Sequence, residues 1–363
     1  MTRVGIVGGG LAGFVAYLTL RRGGVEPDEI MVLAPESDPA AAWRRRAAAI
    51  RQTHMRSESN GHCLPTSFPG LAVRDARHRR SLVPLVRSVC DRYHPTVDEF
   101  LDHVEELRVR SDWSARVRRT RVEQVRVVDD GFELDGHGVF RHVLLATGHP
   151  GNAVPEKLRD DPRAVHAYEP HDYAASVCVV GAGLAAATEW VNAITAGSTV
   201  ISVRRREPVR RPLNVPRPYL SRRGLATFQR LPAERRVALL RELLAPSYPP
   251  GREWDEPLAR AAAESRFRVE AAVNGADQLI CATGFLRGYR HDTLLRRLVD
   301  EQELATADRW IVLNPNSTVP ALTNESRTLA LSGVAGQWAF PAADTLMGAR
   351  YSAHAFLRRC RTR

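Results

Sequence analysis

The residues whose types and spacing most directly imply chemistry are two glycine-rich turns. Gly8-Gly9-Gly10-Leu11-Ala12-Gly13 fits GxGxxG, and Gly181-Ala182-Gly183-Leu184-Ala185-Ala186-Ala187 fits the related GxGxxA. In such turns the first glycine allows a tight bend, the second lets backbone approach a pyrophosphate, and the last small residue brings helix against strand. The helix after the turn then offers free N–H groups and the positive end of its dipole to the phosphates. GxGxxG alone also marks turns that bind nothing. Here it lies between an apolar strand and a helix from the eighth residue on, which favours cofactor binding. The candidates are Gly8, Gly10, Leu11, Ala12 and Gly13 in the first turn and Gly181, Gly183, Leu184 and Ala187 in the second.

The residues that end each strand–turn–helix–strand unit separate the two. An acidic residue at the end of the second strand would hydrogen-bond ribose hydroxyls. Ala34 occupies that place in the first unit, and Glu36, two residues on, is the candidate. The second unit ends in Arg204-Arg205-Arg206. Planar guanidinium forks suit a 2′-phosphate, so NADPH is favoured there over NADH, with at least one of the three arginines decorating the surface.

The elements that must position these turns repeat along the chain. Val4–Val7 reads as a strand, residues 11–22 as a helix with small and apolar residues toward a sheet, and residues 30–34 as a second strand. The same order returns as VCVV, a helix over 184–196 and a strand over 199–203. Val143-Leu144-Leu145-Ala146-Thr147-Gly148 and Leu279-Ile280-Cys281-Ala282-Thr283-Gly284 are further apolar strands ending in Ala-Thr-Gly, each near a point where the chain would leave one unit for the other.

This combination resembles the two-dinucleotide-binding-domain flavoproteins. Within them it resembles the flavin-containing and N-hydroxylating (class B) monooxygenases. The resemblance implies FAD in the first unit and NADPH in the second, with Thr147, Gly148, Thr283 and Gly284 at the crossovers. The five cysteines form no CxxC, which argues against the disulfide reductases of the same superfamily. Many reductases also carry a late Gly-Asp pair. The segment around Gly333 lacks that aspartate, and the tail Asp344-Thr345-Leu346-Met347-Gly348-Ala349-Arg350 looks more like the monooxygenases, adding Gly333 and Leu346 to the cofactor candidates. The chain departs from the family in lacking a full FxGxxxHxxxY fingerprint; only His166, Tyr168 and Tyr173 partly match it.

The chemistry so implied belongs to the cofactors: NADPH reduces FAD, oxygen is carried as a flavin C4a-peroxide, and the distal oxygen passes to the substrate. The loop Gln52 to Asn60 is implied to lie along the isoalloxazine. Asn60 and Gln52 are the catalytic candidates, with Arg56 toward FAD or the nicotinamide nucleotide and Trp43 as a further cofactor contact. An ordinary polar loop is the competing reading. His54 and His62 stand as lone histidines, more often structural than catalytic, and nothing among the twelve histidines has metal-ligand spacing.

Composition removes other classes. The formal charge of +11 comes from 52 basic side chains of which one, Lys157, is lysine. The arginines are spread through the chain without a recognition helix or stacking platform, so no nucleic-acid partner is expected. No apolar run reaches a membrane span and no leader precedes the first strand, so a cytoplasmic protein without a membrane partner is expected.

The expected fold is α/β with two Rossmann-like three-layer nucleotide-binding domains, the NADPH domain inserted into a discontinuous FAD domain. Residues 1–160 and 288–363 form the FAD domain and 161–287 the NADPH domain. A Pro- and Arg-rich insertion over 206–258 carries an amphipathic helix from residue 233 to 244; it reads as a lid or substrate-side element, or as a dimer contact. The expected function is FAD- and NADPH-dependent oxygenation of a small molecule, with N-oxygenation of an amine or amino acid leading and a homodimer allowed. The alternatives are an NADPH-dependent reductase passing electrons to a quinone or redox protein, and an inactive nucleotide-binding regulator.

Overall fold

The computed structural model describes residues 3–55, 70–90, 92–211 and 215–361. The first half opens with β1 (Val4–Val7), α1 (Leu11–Arg22) and β2 (Ile30–Ala34). It continues through α2 (Ala41–Ala49), α3 (Leu71–His78), α4 (Val83–Val89), α5 (Val97–Arg110) and α6 (Trp113–Arg116) to β3 (Val117–Arg119). An antiparallel meander of β4 (Val125–Val128), β5 (Gly131–Leu134) and β6 (Val139–Phe140) leads into β7 (His142–Leu145).

The chain then crosses to the second half. There β8 (Ala164–His166), β9 (Ser176–Val180), α7 (Leu184–Thr195) and β10 (Thr199–Val203) precede the insertion. The insertion holds β11 (Val209–Arg210), α8 (Arg222–Gln229), α9 (Ala233–Leu243), β12 (Ser247–Tyr248) and α10 (Arg252–Ala263). After β13 (Phe267–Glu270) and β14 (Gln278–Cys281), the chain returns through α11 (Thr293–Glu301), β15 (Thr306–Ala307) and β16 (Trp310–Ile311) to β17 (Thr328–Leu331) and α12 (Leu346–Arg361).

Each half is built on a five-stranded parallel sheet, in the order β17-β7-β1-β2-β3 for the first and β13-β10-β9-β14-β8 for the second. In both, the strand feeding the glycine turn is central. It pairs with the next strand of its unit on one side and with the Ala-Thr-Gly strand on the other. The registers correspond: Val7 is level with Leu33 and Leu145, and Val180 with Val203 and Cys281.

Alternation along the first sheet divides its side chains between two cores. Val4, Ile6, Leu144 and Ala330 face α1 and α12, where Phe14 and Phe356 are fully buried. Val7, Leu33, Leu145 and Leu331 face the meander side with Phe132, Leu134 and Phe140. In the second half one face packs on Trp190, Ala186 and Ala187 of α7 and on α10. The opposite layer is thinner, with Leu158, Val273 and Ala276 against Cys178, Ile201 and Leu279.

The insertion does not stay with the half from which it emerges. Leu225 and Phe228 of α8 and Leu240 of α9 join the first half's core with Trp310, Trp338 and Phe340 of the return segment. Gln229 donates to the Ala339 carbonyl at 2.8 Å, and Arg236 lies over the Trp338 ring at 4.6 Å. Each large aliphatic or aromatic side chain so buried contributes about 1.5–3 kcal/mol. The expected amphipathic helix is present as α9 and spends its apolar face inside the chain, so that face is not open to a neighbour.

Candidate functional site

The first turn is shaped by contacts that only glycine permits. At Gly8 φ is +109°, and a Cβ there would lie 2.2 Å from the Ala146 carbonyl oxygen of the Ala-Thr-Gly segment. At Gly13 a Cβ would lie 2.0 Å from the Gly8 carbonyl, so α1 can seat on β1 only without a side chain. Gly10 differs: a Cβ would meet nothing within 4 Å. Its Cβ side is open space. Gly10 is also the N-cap of α1 and supplies no side-chain cap, which leaves the first N–H groups of the helix, including those of Leu11 and Ala12, without intrahelical partners. Gly333, at φ +66°, brings the late turn alongside, with its Cβ position 3.7 Å from Ala12 Cβ.

Packing explains why Ala34 stands where an acid was expected. A Cβ on Gly9 would come within 2.7 Å of Ala34 Cβ, and Ala34 is 1% exposed; a carboxylate side chain has no room beneath the turn. The Glu36 carbonyl borders Gly9 as well, so Glu36 does sit beside the turn. Its carboxylate is engaged by the Arg45 fork at 3.0 and 3.2 Å.

The second turn repeats this construction. Gly181 has φ +145°, and a Cβ there would lie 2.4 Å from the Ala282 carbonyl. Gly183 caps α7 without a side-chain cap. The Ala187 N–H bonds to the Gly183 carbonyl at 3.0 Å as Phe14 N–H does to Gly10, so Ala186 stands in the place of Gly13 and Ala187 in that of Phe14. Unlike Gly10, Gly183 is roofed: its Cβ position lies 3.9 Å from Pro246 at the start of β12. Leu184 opens α7 beside this roof.

Arg205 and Arg206 are exposed beyond β10. Arg204 is half-buried, pairs with Glu207 at 2.8 Å and lies 5.8 Å over Trp190.

The two Ala-Thr-Gly segments meet where the halves join. Gly148 and Gly284 share a left-handed backbone, φ +78° and +76°. The segments that leave them are joined by an antiparallel bridge: Ala153 N–H donates to the Gly284 carbonyl and Leu286 N–H to the Gly151 carbonyl, each at 2.9 Å. Thr147 Oγ1 is buried with no partner among the described residues, whereas the Thr283 hydroxyl donates to the Ala153 carbonyl. His149 stacks on Phe285 at 4.2 Å, Phe285 on Tyr168 at 4.8 Å, and Arg46 of α2 covers Phe285 at 4.4 Å. Burial, helped by Arg46 and Arg287, holds His149 down to a pKa of about 3, so its ring is neutral near neutral pH.

Beside this junction an open crevice of about 720 Å³ separates the two halves, with Arg45, Arg46 and Arg51 on one wall and Tyr168, Glu169 and Asp172 on the other. His171 braces the second wall. Its ring bonds the Glu169 carbonyl at 2.7 Å and the fully buried Glu189 at 3.1 Å, and Tyr173 donates to the same carboxylate at 2.8 Å. Burial opposes charge on His171, yet these bonds outweigh it and raise its pKa. Asn192 then reaches the Ile50 carbonyl at 2.9 Å, tying α7 to the end of α2.

The remaining candidates have these surroundings. Trp43 packs edge-to-face on Phe100 at 4.9 Å and belongs to the first half's core. Leu346 begins α12 and packs in the same core. The Gln52 amide donates to the His54 carbonyl at 2.7 Å. Asn60 and Arg56 lie outside the described residues.

Sequence reasoning passed over His149, Arg46 and Phe285, because stacking across a crossover leaves no local pattern. It named Asp344 only as part of the tail. Asp344 is open to solvent although protein surrounds it, just before α12. Its depth raises the carboxyl above its ordinary range, and Arg287 opposes the rise.

No protein-family model matches the chain, and no curated protein does. Solved structures do. The ornithine N-hydroxylase of Kutzneria sp. 744 matches with a TM-score of 0.75 at 14% identity over 99% of both chains. The cadaverine monooxygenase of the desferrioxamine pathway from Erwinia amylovora matches at 0.74 and 15%, over 99% of this chain and 94% of that one. The bacillithiol disulfide reductase of Bacillus cereus matches at 0.62 and 14%, over 99% and 98%. Monooxygenases and a reductase thus share this architecture, and the chain has the fold of the two-dinucleotide-binding-domain flavoproteins.

Proposed function

We propose that this chain is an FAD- and NADPH-dependent monooxygenase that oxygenates the nitrogen of a small amine or amino acid. The observation that carries the reading is the matched pair of glycine turns, in one register, each closed by its own Ala-Thr-Gly segment and both joined at a single crossover. The first turn fits a flavin dinucleotide: Gly10 leaves open space, Leu11 and Ala12 offer N–H groups, and Thr147 keeps a buried hydroxyl without a partner among the described residues. The second fits a nicotinamide dinucleotide, with Gly183 and Leu184 at the pyrophosphate and Arg204, Arg205 and Arg206 beyond β10 for a 2′-phosphate.

When bound, the two cofactors supply hydride transfer and oxygen activation. The chain's own groups hold, shield and move protons. The stack of His149, Phe285 and Tyr168 lines the junction with apolar faces. Neutral His149 can donate or accept a hydrogen bond there without adding charge. Asp344, solvent-open in the interior, can accept a proton from an ammonium group, and only the neutral amine has the lone pair that oxygen transfer requires. The neighbours with TM-scores of 0.75 and 0.74 are an ornithine N-hydroxylase and a cadaverine monooxygenase, which supports an amine as substrate class. Among the described residues Cys178, Cys281 and Cys360 are buried and Cys90 is exposed, and no two cysteines of the chain have CxxC spacing, so the cysteines lend the reductase alternative no support. Among the described residues no helix is long and apolar enough to cross a membrane, and we place the enzyme in the cytoplasm with a small-molecule substrate and molecular oxygen.

The test is NADPH oxidation by the FAD-loaded chain with a panel of diamines and basic amino acids, scored for hydroxylamine by mass spectrometry. Hydroxylamine formed in step with NADPH consumption is expected. NADPH consumption that needs a quinone or dye and yields no hydroxylamine would mean a reductase.

A further inference from the structure

α4 turns its apolar residues the wrong way for a soluble helix. Pro84 and Ser88 are buried and Leu85 packs inward, while Leu82 is 72% exposed, Val83 52%, Val86 60% and Val89 73%. Valine is a poor helix former, so three outward-facing valines over two turns weaken the helix and gain no burial within the chain. The sequence around them is basic. Arg77, Arg80, Arg87 and Arg92 are exposed, with no carboxylate within 4 Å among the described residues, whereas Arg79 is balanced by Glu99 and Asp75.

We propose that the α4 face is a peripheral docking surface for an anionic lipid bilayer. Leu82, Val83, Val86 and Val89 enter the boundary between headgroups and acyl chains, and Arg77, Arg80, Arg87 and Arg92 meet lipid phosphates. Aliphatic residues on one face of a helix with a cationic fringe are what such surfaces recognise. A second copy of the chain fits less well. α4 is about 10 Å long, its face falls far short of the roughly 800 Å² per partner of a stable interface, and two copies would oppose arginine to arginine. A protein partner is disfavoured by residue type, since no Trp, Tyr, Phe or Met is exposed between residues 77 and 90. The contact is peripheral, and it departs from the expectation of no membrane partner, which rested on the lack of a membrane span and of a leader. It is independent of the proposed chemistry.

The experiment is co-sedimentation of the full chain with vesicles of phosphatidylglycerol and phosphatidylcholine against vesicles of phosphatidylcholine alone. The wild type should sediment with the anionic vesicles, be released by high salt and ignore the neutral ones. L82D/V86D and R77E/R87E should each lower the bound fraction at least tenfold while keeping the wild-type melting temperature. Equal sedimentation of wild type and variants, or none by any of them, overturns the proposal. So does a fall in melting temperature for both L82D/V86D and the milder L82S/V86S, which would mean the chain itself covers the face. A wild-type dimer in size-exclusion chromatography that L82D/V86D splits would also overturn it, since a second copy would then be the occupant.

Discussion

The two glycine turns are built alike and finished differently, and the finish is informative. Both place a glycine of positive φ under a carbonyl of the Ala-Thr-Gly segment, 2.2 Å from the Cβ position in the first half and 2.4 Å in the second. Around that shared kernel the halves diverge. The open side of Gly10 is bare, whereas Gly183 lies beneath Pro246 of the insertion. Beyond the second strand stands an acid in one half and three arginines in the other. What is shared is what any diphosphate demands, and what differs is what would distinguish one dinucleotide from another.

Substitution within the shared kernel should do the most damage. Gly8→Ala combines a positive φ with a clash against the Ala146 carbonyl, so the first turn should lose its seat on the Ala-Thr-Gly segment. We expect destabilisation of about 3 kcal/mol or more, read as a fall in thermal midpoint, with Gly181→Ala doing the same to the second half.

A subtler contrast lies at the start of the Ala-Thr-Gly strands. His142 pairs with Val4 as Gln278 pairs with Val177. Gln278 is satisfied, accepting from Ala174 N–H and donating to the Asp172 carbonyl. His142 is 1% exposed, its ring nitrogens have no hydrogen-bond partner among the described residues, and burial with help from Arg3, Arg141 and Arg359 lowers its pKa from 6.5 to about 4. The unfolded chain therefore binds this proton more readily, and stability should be lost as pH falls from about 6.5 toward 4. The loss amounts to about 2 kcal/mol at pH 5. His142→Leu should remove that component, so that its stability relative to wild type is greater at pH 5 than at pH 7.5 in denaturant titrations.

The smallest expected effect is at the arginines. R205A/R206A should weaken NADPH binding about tenfold, near 1.4 kcal/mol, and leave NADH unchanged; equal loss for both nucleotides would reduce these residues to surface charge. Arg204→Ala should also cost stability, because that side chain covers Trp190.

The periodic, local parts of this architecture are legible in the sequence. β1, α1, β2 and β10 begin and end where apolar runs and glycines predict, because strand, turn and helix are decided within a few residues. The parts decided by distant packing are not. Ala34 is small because Gly9 lies above it. The insertion docks on the return segment through contacts such as Gln229 to Ala339, which no local pattern announces. Ala186, rather than Ala187, takes the position of Gly13, as the six-residue spacing from Gly181 already requires and the helix hydrogen bonds repeat. The aromatic stack at the crossover, with Arg46 over it, joins residues from four separate segments, and Asp344 meets Arg287 across a long stretch of sequence.

Whether each turn cradles its own dinucleotide is decided at Gly10 and Gly183, because neither has an atom closer than 3.9 Å to its Cβ position. Calorimetric titration of wild type, Gly10→Ala and Gly183→Ala with FAD and with NADP+ is the measurement. Both variants should fold; Gly10→Ala should lose FAD but keep NADP+, and Gly183→Ala should do the reverse. Unchanged affinity for both ligands in both variants would refute the assignment of one dinucleotide to each turn.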